Sequence, residues 1–202
     1  MRTVLLALHY QNEVLHPDGR IRVGLDAASP VRAAVIGAAE QLLAVARVHA
    51  IPIVHVRVAF RPDYADLRTN APIFRSVVAL GAVREGSWGA AFYDTLAPRE
   101  DDRDEFVVTH KRINAFYESS LETVLRALGA TRLLVAGVAT HSVVESTVRH
   151  AVDMGYEVAV VAPACAAASP ATHAAALASM SLVATICDDL GAAVSYAAAE
   201  AA

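Results

Sequence analysis

Cysteine is scarce. The chain has two, Cys165 and Cys187, too few for a disulfide framework or a cysteine metal cluster, so a reducing compartment is the expected setting. Lysine is scarcer still: of seventeen basic residues, sixteen are arginine and one is Lys111. The formal net charge of −4 argues against the basic face of a nucleic-acid-binding protein. No apolar run reaches the roughly 18 residues needed to cross a bilayer, and the opening MRTVLLALHYQNE has no signal-peptide cleavage pattern. A cytoplasmic protein without a membrane partner is the expectation. There is no GxGxxG and no GxxxxGK[ST], hence no nucleotide signature. Charged residues make up 19% and hydrophobic residues 55%, a balance that excludes a disordered chain.

What is present is a regular alternation. The 202 residues suffice for one domain with one sizeable core, and no linker or repeat divides residues 1–202. TVLLALHY at 3–10 is a continuous apolar run, as expected of a strand buried on both faces. Ser29-Pro30 offers a helix start, and a helix is predicted from there to about residue 48. IPIVHVRVA at 51–59 predicts a second buried strand. Residues 60–104 read as irregular, with only short helical possibilities, and so long a stretch points to function or to an interface. Strands are then predicted over 105–109, 132–138, 156–162 and 184–187, with helices over 118–128 and 140–154 and one capped by Ser169-Pro170. The Ala-rich tail from Gly191 reads as a helix that frays or packs on a partner.

This order predicts an α/β, Rossmann-like three-layer sandwich: a mostly parallel sheet, right-handed crossovers and helices on both faces. Ligands in such sheets sit at the carboxyl ends of the strands, near the point where strand order reverses. The candidates are therefore the residues just past each strand. His9-Tyr10-Gln11-Asn12, residues 57–61 with Arg57 and Arg61, His110-Lys111-Arg112 and the run Ala139-Thr140-His141-Ser142-Val143 stand there. The single lysine at such a place points to a role that a guanidinium cannot fill.

Four blocks carry a resemblance to the isochorismatase-like hydrolases, also called the cysteine hydrolase family. They are LHYQNEVLHPDG at 8–19, GSWGAAFYDTLAP at 86–98, VVTHKRINAFYESSLETVLRALG at 107–129 and GVATHSVVESTVRHAVDMGYEVAVV at 137–161. The likeness spans nearly the whole chain. It implies a six-stranded parallel sheet, a homo-oligomer (dimer or tetramer), a small-molecule substrate and a non-proline cis peptide at Val138–Ala139. The family's amidases use an Asp, a Lys and a nucleophilic Cys. Of these the resemblance carries over only the lysine, as Lys111. His9 stands in the place of the Asp, Val143 in that of the Cys, and Pro163 in that of a further Asp. The nicotinamidase Asp-x-His metal pattern is absent, since 55–61 reads HVRVAFR, so no metal and no cofactor are expected.

Val143 has no nucleophilic atom. Ser142 is one residue away, a rotation of about 100° on a helix, so its hydroxyl is expected to point elsewhere. Cys165 and Cys187 read as small buried hydrophobes. His9 reads either as an acid or base near neutral pH or as a strand-end histidine bonded to backbone. Two cations at about 4 Å repel by roughly 4 kcal/mol at an effective dielectric of 20, so beside Lys111 either His9 stays neutral, or Lys111 loses proton affinity, or the pocket recruits an anionic ligand. Arg61 and Arg112, with the helix-start amides of residues 139–142, suit a small carboxylate. His141, Trp88, Tyr117 and Gln11 complete the substrate-binding candidates; Trp88 and Tyr117 read equally as core or interface residues. Two function classes stay open: a hydrolase of amide, carbamoyl or vinyl-ether bonds that needs no thiol, and an inactive member acting as a binding or oligomer-scaffold protein. A third reading, Schiff-base chemistry at Lys111, is also open.

Overall fold

The computed structural model describes residues 2–199. Six strands form one parallel sheet in the order β3-β2-β1-β4-β5-β6. They are β1 (Thr3–Leu8), β2 (Ile53–Val58), β3 (Glu105–His110), β4 (Arg132–Gly137), β5 (Glu157–Val161) and β6 (Thr185–Cys187). Every residue of β1 and β4 is buried, which explains why these strands read as continuous apolar runs rather than alternating ones. The strand order reverses between β1 and β4, so the crevice expected for a ligand opens past Leu8 and Gly137. Gly137 is required there: a Cβ on it would come 2.3 Å from the Leu8 carbonyl oxygen.

The helices are α1 (Asn12–Leu15), α2 (Arg32–Val48), α3 (Pro72–Leu80), α4 (Leu121–Ala127), α5 (Glu145–Asp153), α6 (Pro170–Met180) and α7 (Leu190–Ala198). The predicted order of elements holds, with shifted ends. Ser29-Pro30 does not cap α2, which begins at Arg32 after Val31; Ser169 does cap α6, its hydroxyl accepting from Thr172 N at 3.1 Å. Residues 60–104 are more ordered than expected. They carry the nine-residue α3, started by Pro72 at its first turn and ended by Gly81 in the left-handed conformation (φ 62°). Phe74 and Val77 of α3 join Val58, Phe60, Leu67 and Val83 in a small second core beside the main one.

Side-chain ties fix the layers. Glu105, at the start of β3, accepts from Arg47 of α2 at 2.7 Å and bonds His55 of β2 at 2.9 Å. Residues 191–199 of the tail pack on the sheet: Arg132 of β4 donates to Ala199 O at 2.5 Å and sits 4.3 Å over the Tyr196 ring. The end of the tail lies outside the described residues. Among the described residues, no helix is long and apolar enough to cross a membrane, and no group of three His, Cys, Asp or Glu could hold a metal ion.

Candidate active site

The site is built where β1 and β4 end. After Leu8 the backbone turns sharply at His9, which takes a left-handed conformation (φ 58°) unusual outside glycine, its N–H donating to Val56 O at 2.8 Å. β3 ends beside it. Along β3 side chains alternate between faces: Val108 and His110 are buried, Val107 and Lys111 exposed. His110, not Lys111, therefore meets His9. Their Nε2 atoms are 2.5 Å apart, and their rings are 4.8 Å apart, tilted by 34°.

The protons on this pair follow from its partners. His110 Nδ1 lies 3.2 Å from the Asn114 carbonyl, which only accepts, so Nδ1 carries the proton. A neutral His110 then offers a bare Nε2, and His9 Nε2–H donates to it. His9 Nδ1 is left with its lone pair. Both rings are neutral at pH 7. Burial, then the neighbouring His110, pushes the His9 proton affinity well below the usual imidazole range; burial pushes His110 down to about 4. The first cause of the lowered His9 proton affinity is burial, and its neighbour is a second histidine rather than the lysine expected from the sequence.

Past β4 the chain crosses a cis peptide at Val138–Ala139, as the resemblance implies. It then makes one wide helical turn, Thr140–Val144, before α5; Val144 N donates five residues back to Ala139 O at 3.3 Å. Gly24 presses against this turn: a Cβ there would lie 2.0 Å from Val138 Cγ1. A cavity of about 60 Å³ lies between the turn and the histidines, walled by His9, Val58, Phe60, Phe74, Arg112 and Val143 among others. Val143 is buried and lines this cavity. Ala139 and Ser142 also border the cavity.

Several predicted site residues stand elsewhere. Lys111 is exposed and ion-paired with Asp66, in a polar hollow with Arg68, Asn70 and Tyr117. Its displacement is a matter of one residue, which on a strand exchanges the two faces. Gln11 is fully buried and spent on backbone: it donates to Val58 O at 2.9 Å and Ala90 O at 2.8 Å, and accepts from Val58 N at 2.8 Å. Arg61 is exposed and forked onto Asp63 at 2.9 and 3.1 Å. Trp88 is half-exposed against the edge of His16, with ring centres 5.0 Å apart. Tyr117 is half-exposed in the Lys111 hollow, and His141 borders an open hollow outside the cavity. The amides of Thr140 and Ser142 donate to Ala166 O at 2.8 Å and Ala139 O at 3.1 Å, so neither N–H is free for an oxyanion. Arg112 does reach the cavity wall, yet its guanidinium lies 4.0 Å over the Phe74 ring and donates to Arg68 O and Asn70 Oδ1. Cys165 is buried, and burial pushes its thiol up to about 12. His110 and Phe60 stand among the strand-end candidates of the sequence but are given no role there, and Phe74 is not named. Only the strand alternation signals His110, and the run Phe106-Val107-Val108 conceals which face is which.

A parallel α/β sheet of this order, with a cis peptide and a wide turn at its switch point, defines the class as an isochorismatase-type hydrolase fold. The chain belongs to the isochorismatase family: the isochorismatase domain matches residues 3–189. It is 31% identical over 192 residues to the ureidoacrylate amidohydrolase RutB of Methylobacterium radiotolerans, covering 88% of this chain and 72% of that protein. It is 36% identical over 97 residues to a probable inactive nicotinamidase of Arabidopsis thaliana, 48% of each chain. Among solved structures, an isochorismatase family protein from Desulfovibrio vulgaris superposes with a TM-score of 0.81 at 26% identity, covering 98% of this chain and 100% of that one.

Proposed function

We propose that the chain is a small-molecule hydrolase of amide or carbamoyl type that works without a cysteine, with His9 as general base and His110 as the residue that orients it. The 2.5 Å contact between the two Nε2 atoms carries this reading. In it, water gives a proton to His9 Nδ1 as its oxygen attacks the substrate carbonyl. The imidazolium so formed keeps its Nε2–H on His110, which Asn114 O holds in the required tautomer. Collapse of the tetrahedral intermediate breaks the C–N bond, and His9 returns the proton to the leaving nitrogen. A volume of about 60 Å³ admits two waters, or one water and the reacting carbonyl, but no large group. The rest of the substrate lies outside, toward the polar hollow where Arg68, Lys111 and Arg112 stand with Asp66 and Glu118. On this reading His110 fills the family's lysine position, and none of the three usual catalytic residues is retained. The protein acts as one domain, as a homo-oligomer and in the cytoplasm.

A second reading, a binding or scaffold protein with no turnover, is favoured by one feature. The cavity is small and largely apolar, with Val143 where an attacking atom would stand. Turnover of a panel of ureides, carbamates, small amides, nicotinamide and isochorismate, followed by mass spectrometry, separates the two. Hydrolysis that falls 10²- to 10⁴-fold in His9→Gln and His110→Gln but not in Lys111→Ala supports the histidine mechanism. A silent wild type, or loss in Lys111→Ala alone, refutes it.

A further inference from the structure

A second cavity, of about 420 Å³, opens between residues 26–35 and 162–173. It shares no wall residue with the His9 cavity. Its volume is in the range of small-ligand sites, which the His9 cavity is not. Pro30, Val35, Pro163 and Ala166 make apolar walls suited to a flat ring. The polar side chains of its wall are Asp26, Ser29, Cys165, Ser169 and His173. The Ser169 hydroxyl is committed to Thr172. The Thr140 hydroxyl is fully buried, and among the described residues its side-chain partner is His173 Nδ1 at 2.8 Å. Lacking another acceptor, it donates to Nδ1, which leaves the His173 proton on Nε2. His173 is uncharged at neutral pH, because burial lowers its proton affinity. His173 therefore offers the cavity an uncharged ring N–H donor beside the Ser29 hydroxyl, and no lysine or arginine lines it. Asp26, the one formally charged residue of the wall, opposes an anion. The Arg32 guanidinium stands outside the lining but is bonded to the Asp26 and Ala27 carbonyls, close enough to offset that carboxylate toward a cation.

We propose that this cavity binds a small, planar, uncharged molecule that carries a carbonyl acceptor, its ring between the proline and alanine walls and its oxygen on His173 Nε2–H. The site is not isolated from the first. Ala166, in its wall, accepts from Thr140 N, and Thr140 opens the turn that carries Val143. The inference stands whether or not the His9 cavity is catalytic.

The test is a backbone and imidazole NMR titration of the full chain with benzamide, benzoate and benzamidine, three probes of one shape and different charge. Saturable shifts at Ala166, Ala167 and His173 with benzamide, at least tenfold tighter than with either charged probe, are expected. Val31→Trp, a substitution at an exposed position of the cavity wall, should weaken benzamide tenfold or more without changing the fold. The same loss in His173→Phe places the donor. Shifts centred on His9 and Val58, shifts that do not saturate, a charged probe binding as well as benzamide, or full binding to Val31→Trp would each overturn the proposal.

Discussion

Replacing Gln11 by leucine separates two roles for this residue. As a substrate contact it would leave stability unchanged and alter binding. In the structure it is fully buried, and its amide makes three hydrogen bonds, to Val58 N, Val58 O and Ala90 O, all at 2.8–2.9 Å. Leucine fills a similar volume and makes none. Each backbone group stranded in the interior costs about 1–3 kcal/mol, and some of that is recovered by local shifts, so the expected loss is about 3–5 kcal/mol. That is a large share of the 5–15 kcal/mol typical of a domain. With a urea slope of about 2 kcal/mol per molar, the unfolding midpoint should fall by roughly 1.5–2.5 M. The assay is urea unfolding followed by far-ultraviolet circular dichroism, with Asn12→Ala, a neighbouring side chain that is less buried and makes a single bond to Trp88 O, as the control. A loss below about 1 kcal/mol in Gln11→Leu would refute the view that this side chain is a staple between the β2 end and the 88–90 turn.

Other outcomes follow from the same geometry. His110 takes up its proton at about 4 in the fold and near 6.5 when unfolded, so between these values the unfolded chain holds the extra proton. Stability is then complete above pH 6.5 and is lost as the pH falls toward 4, on the order of 3 kcal/mol from this group, with His9 acting in the same direction; urea midpoints at pH 7.5, 5.5 and 4.0 should show the fall, and a flat profile would contradict the burial of the pair. Gly24→Ala drives a Cβ to 2.0 Å from Val138 Cγ1 and should cost about 1–3 kcal/mol in thermal unfolding, whereas Gly37→Ala, on an open helix face, should not destabilise. Cys165 and Cys187 are buried and burial raises both thiols, so neither should react with iodoacetamide at pH 8 until the chain is unfolded in urea. Labelling of native Cys165 would show that the wall of the second cavity is open.

The succession of strands and helices, the parallel sheet and the chain segments that bound the crevice could be read from residue order alone. Buried parallel strands must be apolar on both faces, so TVLLAL and RLLVAG announce themselves, and the ends of those strands name His9 and the 139–143 turn. What could not be read is which side chain meets His9. His110 and Lys111 are adjacent, and a one-residue difference on a strand is a difference of face. That register is set by the pairing of β3 with β2 and by the burial of Val108, both of which are non-local. The roles of Gln11 and Arg61 were hidden for a related reason. A polar side chain past a strand end serves a ligand or its own backbone according to what folds against it. Here the 88–90 turn and Asp63 take the hydrogen bonds first. Residue order determined the sheet and the positions around the crevice; tertiary packing decided which polar atoms remain free in it, because free lone pairs are what is left after every buried backbone group has found its partner.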